Sequence, residues 1–145
     1  MTRMSKPSSK RHLARALALQ ALYQWHFVPD NPEEWISEFM AEHVPEPKAI
    51  DLLYFQQLVK GVALNQEAID EKMKLHLDRA IASLNPVELA ALRLGCFELL
   101  YCPDVPPAVV INEAIELAKA FGATDGYKYV NAVLNAVGKN LLKKE

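Results

Sequence analysis

Tyr127, Lys128 and Tyr129 form the densest group of chemically useful side chains in this sequence. They follow a Gly-containing turn, FGATDG, and sit where a new helix would begin. At a helix start the backbone N–H groups are free and anions are favoured. Aromatic rings that stack on unpaired bases, beside cations that hold phosphate, suit single-stranded nucleic acid. A second basic group lies at the other end of the chain. Arg3, Lys6, Lys10, Arg11 and Arg15 all precede the first acid, Asp30. The remaining 11 Lys/Arg stand against 18 Asp/Glu, so a basic amino-terminal segment is attached to an acidic body. That asymmetry indicates one electrostatic docking surface, with a solvated basic tail as the plainer alternative.

Catalytic signals are weak. His12, His26, His43 and His76 form no ligand-spaced pair with one another or with Cys96 and Cys102, so neither metal nor cofactor is expected. Gly122 and Gly126 flank a turn and follow no strand, which removes a phosphate loop. Glu33-Glu34 and Glu67, Asp70, Glu71 are read as solvated helix faces, and nothing around Ser37 or Ser83 supports a triad. The two cysteines are six apart in an apolar segment and suit a reducing compartment. Arg15 and Gln20 interrupt the apolar run LARALALQALYQW, and no cleavage site follows it, so export is rejected. No run reaches the length of a membrane span. A soluble, cytoplasmic, non-enzymatic protein is the expectation.

The elements that must position these residues are helical almost throughout. A first helix is predicted from Ser9 or Lys10 to about Val28. Asn31-Pro32 and Asn85-Pro86 each read as a cap followed by a first-turn proline. Leu52, Phe55, Val59 and Val62 mark a third helix, and a break near Asn65 separates it from a stripe of Ile69, Met73, Leu77 and Ala80. VELAALRLGCFELLY is apolar on nearly every side apart from Glu88, Arg93 and Glu98, the pattern of a buried central helix. Pro106-Pro107 opens a helix with Val110, Ala114, Leu117, Ala118 and Phe121 on one face. The last helix buries Val130, Leu134, Val137 and Leu141. The fold class is therefore all-α, about seven helices, with a basic arm at 1–9 and one domain at 10–145.

Four stretches give this chain a family resemblance: ARALALQALYQW, YFQQLVKGV, LNPVELAALRLGCFELLY and VPPAVVINEAIELAKAFGATDGYKYVNAVLN. In order and in wording they resemble the NusB family of bacterial transcription antitermination factors. The resemblance implies two small helical bundles. It also implies binding of boxA RNA as a heterodimer with the ribosomal protein NusE, within the RNA polymerase antitermination complex that contains the other Nus factors. The same fold serves as the RNA-binding domain of a ribosomal RNA methyltransferase. A chain that closes on Lys143, Lys144 and Glu145 leaves no room for that enzyme's catalytic domain, so a binding role is expected. A helical adaptor that does not bind RNA is the remaining alternative.

The resemblance assigns RNA contacts to Lys10, Arg11, His12 and Arg15 at the start of the first helix. Arg11 and Arg15 are one turn apart and share a face, with Tyr23 two turns further on. Helix solubilisation competes for the arginines, and core packing competes for Tyr23. A second RNA segment maps onto Phe121, Asp125, Lys128 and Tyr129. Phe121 also completes a core stripe, and Asp125 is expected to cap the last helix. Glu88, Arg93 and Glu98 are placed at the protein-partner interface, since charges on an otherwise buried helix call for one. Internal ion pairing is the competing reading, and for Glu88 so is attraction to the helix dipole.

Overall fold

Capping side chains set where most helices begin. In the computed structural model, which describes residues 9–29, 31–44 and 46–143, Ser9 Oγ accepts from the His12 N–H at 2.9 Å and starts α1 (Lys10–Phe27). Asn31 caps α2 (Pro32–His43) and Asp51 caps α3 (Leu52–Leu64), each accepting from a first-turn N–H at 3.0 Å. Asn85 caps α5 (Pro86–Tyr101). Prolines at the first positions of α2, α5 and α6 (Pro107–Phe121) remove an N–H that would have had no partner. The set is completed by α4 (Gln66–Lys74) and α7 (Gly126–Lys143), with short 3-10 turns at Pro47–Ala49 and Ile81–Ser83. No strand occurs among the described residues.

α1, α2 and α3 pack together, and α4, α6 and α7 gather around α5, which also packs on α1 and α3. Leu89, Leu92, Leu94, Cys96 and Phe97 point to different sides of α5 and all are buried, as its all-round apolar composition requires. Glycine permits the close approach of α3 to α5. A Cβ on Gly61 would stand 2.2 Å from the Phe97 ring. No helix among the described residues is long and apolar enough to cross a membrane.

Two expectations need correction. The stripe through Leu77 and Ala80 is not one helix, since α4 stops at Lys74. The N–H groups of His76 and Leu77 bond to carbonyls three residues back, which tightens the last turn and takes the chain off the helix axis. The stripe of α6 ends at Ala118, and Phe121 is exposed. Of the expected basic arm, Ser9 belongs to α1 as its cap, and residues 1–8 lie outside the described residues.

Candidate nucleic-acid interface

The basic end of the site is the first turn of α1. Lys10 and Arg11 are exposed. The Arg11 guanidinium lies 4.1 Å from the centroid of the Tyr54 ring, and its Nε is 3.7 Å from an Asp51 carboxylate oxygen. Lys10 and Arg11, together with Asp104, Pro106 and Val109 at the approach to α6, border an open groove of about 460 Å³.

One turn further, the same face of α1 turns inward. Arg15 is only 4% exposed. Its Nε and Nη2 donate to Glu98 at 2.9 Å each, and Nη1 donates to Glu113 at 3.1 Å. Tyr54 Oη also donates to Glu98, and His12 Nδ1 lies 3.0 Å from Glu113. Burial alone would lower the pKa of Arg15, but the hydrogen bond and charge of Glu98 raise it, so it stays cationic. Burial first, then Glu98, pushes the Tyr54 phenol far above its ordinary range. The expectation that Arg15 faces phosphate is therefore corrected. Arg11 and Arg15 do share a helical face, but α5 and α6 cover that face from the second turn onward.

The partner-facing charges are corrected for the same reason. Glu98 is 2% exposed and belongs to the Arg15 network. Arg93 grips Asp70 of α4 through Nε at 3.0 Å and Nη2 at 2.9 Å, an internal pair with little exposure on either side. Glu88 is different. It is half-buried at the start of α5 and lies against Gly126, where a Cβ would come within 2.1 Å of its carboxylate. Glycine at the start of α7 thus gives Glu88 its place.

The aromatic end opens between α1, α5 and α6. Tyr23, 39% exposed, and Phe121, 44% exposed, line a groove of about 410 Å³ with Leu19, Gln20, Gln24 and Val87. Neither ring is a core residue. Lys119 Nζ sits 4.8 Å from the Tyr127 ring centroid. Lys128 is exposed, and its Nζ is 3.4 Å from Asp125 Oδ1, so Asp125 faces this cation at the site. Tyr129 is half-buried, with its hydroxyl directed at Asp78. From Lys10 to Tyr23 the helical rise amounts to roughly 20 Å, so the exposed cations and the exposed rings lie toward opposite ends of α1.

Sequence reasoning overlooked Tyr54, Glu113, Asp78 and Arg79. Glu113 had a readable signal, because it falls three residues after Val110 and four before Leu117, on the core stripe of α6. A carboxylate there requires a buried cation. No comparable signal marks Asp78 and Arg79, which reach Tyr129 only through the path of the α4–α5 connection.

The model of the NusB family matches residues 12–139. The chain is 50% identical over 133 residues to a transcription antitermination protein NusB of Coxiella burnetii, covering 92% of this chain and 95% of that one. It is 47% identical over 139 residues to the corresponding protein of Pasteurella multocida, with 96% and 95% covered. Among solved structures it is similar to a chain in the crystal structure of antitermination factors NusB and NusE in complex with dsRNA. There the TM-score is 0.78 at 32% identity, over 89% of this chain and 96% of that one. The solution structure of NusB from Aquifex aeolicus aligns with a TM-score of 0.80 at 31% identity, over 95% and 93%.

Proposed function

The chain belongs to the NusB family, and from that premise we propose that it is a transcription antitermination factor that binds boxA RNA together with NusE and performs no chemistry of its own. It acts in the cytoplasm, within the RNA polymerase antitermination complex and beside the other Nus factors. The observation that supports the RNA reading is the exposure of cations and rings together: Lys10 and Arg11 at the start of α1, Tyr23 and Phe121 around the groove toward its other end, and Lys128 on α7. Cations there hold phosphates, and the rings stack on bases that are not paired. His12 faces Glu113 and supports this end from within. Asp125 lowers the local positive potential, and Glu88, half-buried at the start of α5 against Gly126 and without an ion pair among the described residues, is the charge of that helix we assign to a protein partner. The described residues from Ser9 onward form one binding domain.

The test is fluorescence anisotropy with labelled boxA RNA, a scrambled strand and a boxA duplex, each with and without NusE. Preference for the boxA strand that strengthens with NusE is expected. Equal weak binding to all three, unchanged by NusE, would overturn the reading. Three exposed cations (Lys10, Arg11 and Lys128) predict a log–log salt slope of about −2 or steeper for single-stranded RNA.

A further inference from the structure

The connection between α4 and α5 brings two side chains to the aromatic end of the interface. Tyr129 Oη donates to Asp78 Oδ1 at 3.0 Å and accepts from the Asp78 backbone N–H at 3.3 Å. Arg79 holds the same carboxylate through Nε at 2.7 Å and Nη2 at 3.2 Å. Its guanidinium carbon is 4.6 Å from the centroid of the Tyr129 ring, while half of the side chain is open to solvent. One face of Tyr129 is thus covered, and any base approaching from that side meets Arg79 first.

We propose that Arg79 is a further RNA-contacting residue, whose guanidinium, seated on Tyr129, forms a stacking platform for an unpaired base and exchanges the Asp78 carboxylate for a backbone phosphate. The proposal rests on the RNA-binding reading given above. Guanidinium groups stack on aromatic planes and bind carboxylate and phosphate with the same two-pronged geometry, so the exchange requires little rearrangement. An ion pair this exposed is weak in water and yields readily to a competing anion. Asp78 and Tyr129 also hold Arg79 in place before RNA arrives, which reduces the ordering cost of binding. The Glu88 carboxylate adds a smaller favourable charge interaction with Arg79.

The experiment compares wild type, Arg79→Ala, Arg79→Lys, Asp78→Asn and Arg11→Ala for affinity to a single-stranded boxA RNA across a salt series and for affinity to NusE, with helicity checked by circular dichroism. Arg79→Ala is expected to weaken binding about fivefold or more, as for loss of one stacking contact. It should also make the salt slope shallower by about 0.7, as for loss of one phosphate contact. Arg79→Lys should restore the slope and not the affinity, and Asp78→Asn should tighten binding. Wild-type affinity and slope in Arg79→Ala, with Arg11→Ala impaired, would overturn this inference and leave the RNA reading intact. No boxA binding by the wild type would instead overturn the RNA reading itself. Unchanged RNA affinity with weakened NusE binding in Arg79→Ala would assign Arg79 to the protein interface and so also overturn the inference.

Discussion

Two arginines in this molecule have neighbours of the same kind, a carboxylate and a tyrosine, in opposite surroundings. Arg15 donates to a glutamate, Glu98, that also accepts from Tyr54, and its guanidinium carbon is 5.4 Å from that tyrosine's ring centroid. Arg79 donates to an aspartate, Asp78, that also accepts from Tyr129, and it lies over that ring at 4.6 Å. The first group is closed off beneath α1, α3, α5 and α6, and the second stands in solvent. Identical chemistry therefore has different consequences. A buried guanidinium is committed to its partners because no water can replace them, whereas an exposed one can trade its carboxylate for another anion. Depth rather than residue type separates a structural arginine from one available for binding.

The sharpest way to break the comparison is to remove one carboxylate from each group. Glu98→Ala leaves Arg15 charged and buried, and it is expected to cost about 3–5 kcal/mol in urea unfolding. A loss below about 1 kcal/mol would mean that water reaches Arg15. Raising the pH probes the same network without mutation. The pKa of Tyr54 is higher in the folded protein than its ordinary value of 10, so the folded state retains a proton that the unfolded chain gives up. Its contribution to stability is complete below pH 10 and is lost as pH climbs beyond it. Burial raises the Cys96 thiol from 9 to about 12, which adds to the alkaline loss from pH 9 upward. Urea midpoints are therefore expected to fall from pH 9 to 11, and to fall less steeply in a Tyr54→Phe, Cys96→Ala double variant.

Smaller effects belong to the exposed side. Asp125→Asn removes a negative charge 3.4 Å from Lys128 and should tighten RNA binding by about 0.2–1 kcal/mol, the range of an exposed charge interaction, as read by anisotropy at low salt. Weaker binding would show that Asp125 contributes something other than repulsion. The smallest change is expected for Asp78→Ala, whose thermal midpoint should match that of the wild type within error. A clear drop would place Asp78 on the structural side of the comparison.

Helix positions were legible in the sequence because they depend on local signals. Ser9, Asn31 and Asn85 cap their own first turns, and the apolar spacing of α3, α6 and α7 marks their buried faces. The end of α4 was not legible, because the i+4 pattern continues through Leu77 after the hydrogen bonding has changed. The site was legible in part. Lys10, Arg11, Tyr23, Phe121 and Lys128 lie on the surface. Arg15, Arg93 and Glu98 have internal partners instead, and the reason is one of distance along the chain. Glu98 is 83 residues from Arg15, and Asp70 is 23 from Arg93. Periodicity can say that a charge falls on a buried face, but it cannot say which opposite charge arrives there.

The placement of α5 has a consequence for cooperativity. Because it packs on α1 and α3 as well as on α4, α6 and α7, neither helical group can open without exposing part of it. The amide protons of its central turns should then exchange with solvent only when the whole chain unfolds, while those of α2, packed chiefly on α3, exchange through local opening. An RNA that bridges Lys10 on α1 and Lys128 on α7 would be held by helices sharing that one slow-exchanging support.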